Sequence, residues 1–169
     1  METGKWSFFA KMTSPRREAA SVVVQDTMYI FGGVGSTYLS SAEKIDANGV
    51  VTAIADMPRE RYSLSAVALP SGKILIMGGG PTENFKSTME YDPTTDSYDD
   101  TLPDMTSSRS LHGCTIFNSQ NHGGRPVVLC LGGSGNGNAE LYDYTTADAV
   151  WTTRKISLLS GEQKDNTAR

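Results

Sequence analysis

The chain has 169 residues, 38% of them hydrophobic and 20% charged, with a net charge of -4. That mixture suits a folded unit and excludes disorder along the whole length. Lysines and arginines are scattered rather than clustered, so the cationic footprint of a phosphate-backbone binder is missing, and no apolar run approaches the roughly 20 residues of a membrane-spanning helix. Neither nucleic acid nor membrane is therefore expected as a partner. Trp6, Phe8, Phe9 and Ala10 stand where a secretory apolar region would lie and are too short for one. Two cysteines make no disulfide framework, and no Asn-x-Ser/Thr acceptor occurs, which favours a reducing compartment, with the cytoplasm as the default.

In chain order, residues 1–11 contain Lys5-Trp6-Ser7-Phe8-Phe9, which reads as the outer strand of a preceding unit. A unit then runs over residues 12–56. It carries an arginine, an apolar run from Ala19 to Val24, a second run Met28-Tyr29-Ile30-Phe31 ending in Gly32-Gly33, a short segment closing on Asp46, turn chemistry at Asn48-Gly49 and a fourth run at Val51. Residues 57–104 repeat the order with Arg61, Leu64 to Leu69, Ile74 to Met77 before Gly78-Gly79, Tyr91-Asp92 and Tyr98. Residues 105–156 repeat it again with Arg109, Cys114 to Phe117, Val127 to Leu131 before Gly132-Gly133, Tyr142-Asp143 and Trp151. In the first unit the recurring arginine is taken as Arg17. Residues 157–169 are polar and aperiodic and read as a tail. Short runs rich in Val, Ile and Tyr, separated by turn residues and with no apolar stripe at helical spacing, predict four antiparallel strands per unit and very little helix.

Arginine, two apolar strands with the second ending in Gly-Gly, an aromatic beside aspartate, and an aromatic on the fourth strand: this order resembles the kelch repeat, whose period is roughly 50 residues. The resemblance covers about residues 5 to 156. It implies an all-β fold made of kelch-type β-propeller blades of four antiparallel strands, about three of them, forming a partial or open ring. Ile45 departs from the usual tyrosine, and the first unit lacks a fourth-strand aromatic. A ring needs roughly four to eight blades, so the chain is expected to be a fragment of a larger kelch protein or to close with another copy, and its open faces are expected to self-associate.

The resemblance also implies a function. Kelch propellers are mostly interaction modules, among them ubiquitin-ligase substrate adaptors and actin-associated proteins, so a non-catalytic module that presents loops to a protein partner is expected. The alternative implied by Leu69 to Gly79, which resembles the repeat of galactose- and glyoxal-oxidase propellers, is part of a copper enzyme. Loops on a rigid scaffold are where binding usually resides. Candidate partner-binding residues are the loop aromatics Tyr38 and Phe85, with Asn84 and Asn136 in the same loops and Arg16, Arg61 and Arg109 at the blade links. The dull reading of the arginines is satisfaction of inter-blade carbonyls, and that of the aromatics is folding back onto their own blades. No catalytic residue, cofactor or metal is assigned, because no His, Cys or carboxylate pair shows metal spacing. Gly133 to Gly137 imitates a phosphate loop, but a strand follows where the fingerprint needs a helix. His112 is expected to be a hydrogen-bonded structural residue and His122 to be solvated, and Cys114 and Cys130 are expected to be buried free thiols rather than a bridge.

Overall fold

The computed structural model describes residues 4–80, 85–134, 138–146 and 148–154. They form three four-stranded antiparallel sheets, each a simple meander. The first holds β1 (Ala20–Val24), β2 (Thr27–Phe31), β3 (Ala42–Ile45) and β4 (Val51–Ile54). The second holds β5 (Ser65–Ala68), β6 (Ile74–Met77), β7 (Thr88–Asp92) and β8 (Ser97–Asp99). The third holds β9 (Gly113–Ser119), β10 (Arg125–Leu131), β11 (Ala139–Tyr142) and β12 (Trp151–Arg154), with one 3-10 turn at Gln120–His122. This is the expected all-β arrangement of propeller blades. Lys5 to Phe9, read as an outer strand, pairs with no strand among the described residues, and Trp6 and Phe8 are exposed.

The aspartate that closes each third strand starts its turn. Asp46 Oδ1 accepts from the Asn48 and Val50 N–H groups, Asp92 Oδ1 from the Thr94 N–H, and Asp143 Oδ1 from the Thr145 N–H. A short carboxylate that bonds the backbone two residues on is the usual device for reversing a chain this tightly. Between β1 and β2 the reversal falls on Gln25 and Asp26, both with positive φ, as the right-handed twist of a two-residue hairpin requires.

The cores lie between blades rather than within them. Tyr29, Phe31 and Ile54 of the first sheet meet Ile74, Ile76, Met89 and Tyr91 of the second. On the other side, Leu75 and Met77 meet Val128, Cys130, Tyr142 and Trp151 of the third. Strand pleating therefore sends alternate residues of β6 into different cores, which explains why Ile-Leu-Ile-Met is apolar throughout and buried throughout. Asp96 and Tyr98 fasten the second blade to the first: Asp96 Oδ1 accepts from the Ala55 N–H at 2.9 Å and the Tyr98 hydroxyl donates to the Ala55 carbonyl at 2.9 Å. The remaining faces are open, with Val23 and Met28 exposed on the first blade and Phe117 and Leu131 on the third.

This packing predicts an alkaline transition. Burial, followed by its hydrogen bond to the charged Asp96, raises the Tyr91 hydroxyl well above the ordinary tyrosine range; burial, followed by the charge of Asp96, does the same for Tyr98. The folded chain thus keeps protons that the unfolded chain releases above about pH 10, so stability present below that point is lost as pH rises beyond it. Tyrosinate absorbance should rise for these two residues together with loss of far-ultraviolet β signal. Ionisation of all tyrosines near pH 10 with the sheets intact would show that the Tyr91 and Tyr98 hydroxyls are not held as described.

Candidate functional site

The three repeating arginines point inward. Arg16 Nη1 donates to the carbonyls of Gly32 and Ser41 at 2.8 and 2.9 Å. Arg61 Nη1 donates to Gly78 and Ser87 carbonyls at 2.9 and 3.1 Å, and Arg109 donates from Nη1 to Gly132 and from Nη2 to Asn138 at 2.7 and 2.5 Å. In every blade the guanidinium bridges the first glycine of the pair and the residue just before the third strand. One planar fork thereby binds the carbonyl of the first glycine and adds a second donor to the carbonyl opposite, which in the first two blades also accepts from the glycine N–H at 3.1 and 3.0 Å. In the first blade this residue is Arg16; Arg17, taken as the repeat arginine from the sequence, instead has an exposed side chain.

Arg16 and Arg109 are each also paired with the glutamate of the third strand. Glu43 accepts from Arg16 and from the Thr13 and Ser14 N–H groups, and Glu140 from Arg109 Nε at 3.1 Å and from the Thr106 and Ser107 N–H groups. Burial would raise the Glu43 carboxyl, but the Thr13 and Arg16 hydrogen bonds outweigh it and hold the group below the usual carboxylate range. In the second blade Met89 occupies the place of the glutamate and Pro58, which has no N–H, the place of the threonine. There burial, followed by repulsion from Arg59, lowers Arg61 to about 10. Arg61 is 2% exposed and Arg109 0%, and the Arg16 side chain is 1% exposed. The carbonyls these guanidinium groups bind lie within their own blades rather than between blades.

The backbone beside them carries the inter-blade links. Gly33 N–H donates to the Arg61 carbonyl at 2.7 Å and Gly79 N–H to the Arg109 carbonyl at 2.9 Å. Glu18, Ser63 and Leu111, two residues beyond each arginine, all have positive φ, and the Ser63 N–H donates to Glu18 and the Leu111 N–H to Ser63. Blade-to-blade hydrogen bonds thus cross both junctions beside the glycine pairs.

Of the loop candidates, Tyr38 is 47% exposed and stacks on Tyr62 of the next blade, with ring centroids 4.6 Å apart and planes at 17°. It does not fold back on its own blade. Phe85 is half-buried and its carbonyl accepts from the Arg109 N–H at 2.8 Å, the place Leu39 takes in the preceding loop toward Arg61. Asn84 and Asn136 lie outside the described residues. On the same side as Tyr38, residues Pro15, Arg16, Arg17, Val34, Gly35 and Ser36 line an open hollow of about 530 Å³.

The third blade departs from expectation at its cysteines and histidines. Cys114 and Cys130, read as free thiols, are joined by a disulfide across a direct β9–β10 register pair with Cα atoms 4.2 Å apart, a separation natural to a non-hydrogen-bonded antiparallel pair. His112 is 8% exposed and neither ring nitrogen has a hydrogen-bond partner among the described residues, contrary to its reading as a satisfied structural group. Burial, then the nearby Arg109, pushes it down to about 4 against the opposing pull of Glu140. His122 is half-buried and shares a hydrogen bond of 2.9 Å with Ser119.

The Kelch motif family matches residues 15–58. Kelch-like protein 25 of Xenopus tropicalis is 32% identical over 99 residues, 57% of this chain and 17% of that protein. The solved structure of YjhT superposes with a TM-score of 0.66 at 18% identity, over 85% of this chain and 51% of that one. Residues 15–58 carry a kelch motif, and the other two sheets repeat its four-strand order. It spans about half of YjhT, and its match reaches 17% of the Kelch-like relative.

The sequence alone did not reveal the His112, Cys114 and Cys130 group of the third blade, whose ligand atoms lie within 4.8 Å of one another. His112-x-Cys114 was visible as a spacing; what brings Cys130 to it is strand register, which no local spacing reveals.

Proposed function

We propose that this kelch-repeat chain is a non-catalytic module that holds a protein partner on the mouth formed by the loops after its glycine pairs. The observation that carries the reading is the stack of exposed Tyr38 on half-buried Tyr62, beside the hollow at residues 34–36: a held aromatic pair is a common anchor for a partner. The buried arginines keep that mouth in shape. Substrate recruitment to a ubiquitin ligase or association with actin, in the cytoplasm, are the roles the kelch resemblance supports. Further blades or a second copy of the chain cover the open faces at Val23 and Phe117.

Tyr38→Ala should weaken partner capture at least tenfold, while costing about 1 kcal/mol or less of stability, because an exposed ring contributes little to folding. A photocrosslinking side chain at Tyr38 should label the partner, and one at Ser71, in the β5–β6 turn at the opposite end of the strands, should not. Equal labelling at both positions, or full capture by the Tyr38 variant, would overturn the proposal.

A further inference from the structure

Soft donors converge where the second and third blades meet. Cys114 on β9 and Cys130 on β10 face one another in register, and His112 enters the same place from the residue before Gly113. The Met77 sulfur at the end of β6 lies 3.6 Å from Cys130 Sγ. Cys130 and Met77 are fully buried, whereas Cys114 is half-buried and offers a route inward.

The imidazole is the feature the fold leaves unexplained. A buried ring with both nitrogens unpartnered costs free energy, yet its place is kept open by glycines. A Cβ at Gly78 would stand 2.7 Å from His112 Cε1, and one at Gly133 would stand 2.9 Å from His112 Cβ. The chain therefore reserves space for a group whose hydrogen-bonding capacity the described residues do not use.

We propose that the reduced chain binds one thiophilic d10 cation, Zn²⁺ or Cu⁺, through Cys114 Sγ, Cys130 Sγ and one ring nitrogen of His112. Zinc bonds of about 2.3 Å to sulfur and 2.0–2.1 Å to nitrogen place tetrahedral donors roughly 3.3–3.8 Å apart. Three donor atoms already within 4.8 Å reach that spacing by side-chain rotation once the sulfurs are no longer bonded to each other. Thiolate and imidazole suit either cation, and a thioether such as Met77 adds a donor that favours Cu⁺. A dithiol supplies the two electrons and two protons that turn the disulfide into two thiols, and itself closes to a disulfide; the incoming cation then displaces the two thiol protons. Disulfide and bound cation are mutually exclusive, so oxidation expels the metal.

The test uses the whole chain, reduced by a water-soluble phosphine that leaves as its oxide, and titrated without oxygen. Cobalt serves as the coloured probe, and zinc and cuprous ion are titrated against chromophoric chelators. One equivalent of cobalt with a thiolate charge-transfer band, displaced by zinc, is expected from the reduced chain and none from the oxidised chain. His112→Ala should weaken the binding of zinc or cuprous ion at least tenfold and Cys130→Ser by more. The absence of a thiolate–cobalt band in the reduced wild-type chain overturns the proposal without relying on any variant, and so does undiminished binding by folded His112→Ala.

Discussion

Arg109→Met should lower the stability of the chain by about 3–5 kcal/mol, the range for removing one partner of a buried ion pair. The side chain is fully buried, and so is Glu140. Methionine fills much of the same space but cannot donate, so the Gly132 and Asn138 carbonyls lose their donor and the Glu140 carboxylate is left buried with the Thr106 and Ser107 N–H groups but no cation. An uncompensated buried charge costs the full desolvation of the group, and each carbonyl that gives up its bond to the guanidinium adds to the loss. The double variant Arg109→Met with Glu140→Leu should recover part of the loss, since removing both charges is often tolerated where removing one is not. Urea unfolding of the wild-type chain and both variants reads the difference. A single-variant loss below about 1 kcal/mol would mean that the pair is solvated and behaves as a surface bridge.

How much of this could be read from residues alone depended on whether the signal was local. Strand order, the three meanders and the all-β class follow from apolar runs punctuated by Gly-Gly and by Asp-led turns, and each of those devices acts within a few residues of itself. The continuous burial of Ile74 to Met77 was likewise visible, because a strand packed on both faces needs no alternation. The arginine of the first blade was mistaken by one position because Arg16 and Arg17 are adjacent and identical. What separates them is the Thr-Ser-x-Arg pattern shared by Thr13 to Arg16 and Thr106 to Arg109, whose threonine and serine N–H groups bind the glutamate of the third strand. That pattern is absent from the second blade, where Pro58 and Met89 replace donor and acceptor together, so a comparison of all three repeats does not show it. Phe85 looked like a free loop aromatic because its counterpart Leu39 was not recognised as equivalent. The Cys114–Cys130 bond and the approach of His112 depend on the register of β9 against β10, and that register is set by the Ser119 to Arg125 connection rather than by anything near the cysteines.

Gly79→Ala should cost about 2–4 kcal/mol, although it adds one methyl group, because conformational strain and overpacking act together there. Its φ is +84°, a region that L side chains rarely adopt, and the added Cβ would stand 2.6 Å from the Tyr62 carbonyl oxygen and 2.8 Å from Leu64 Cβ. The carbonyl cannot yield easily, since Tyr62 and Gly80 exchange backbone hydrogen bonds at 2.9 and 3.3 Å, and the Gly79 N–H itself ties the blade to Arg109. Relieving the clash therefore means loosening the inter-blade link as well as the strand end. Gly72 provides the comparison that separates the two effects: its φ is +86° and a Cβ there would meet nothing within 4 Å. Gly72→Ala should cost only the conformational term, about 1 kcal/mol. A clear gap between the two variants in urea midpoint, at unchanged denaturant slope, locates the cost in close approach of the chains beneath the loop mouth. Equal losses would mean that the glycine pair is required for its backbone angle alone, and that the crowding at the blade junction relaxes without cost.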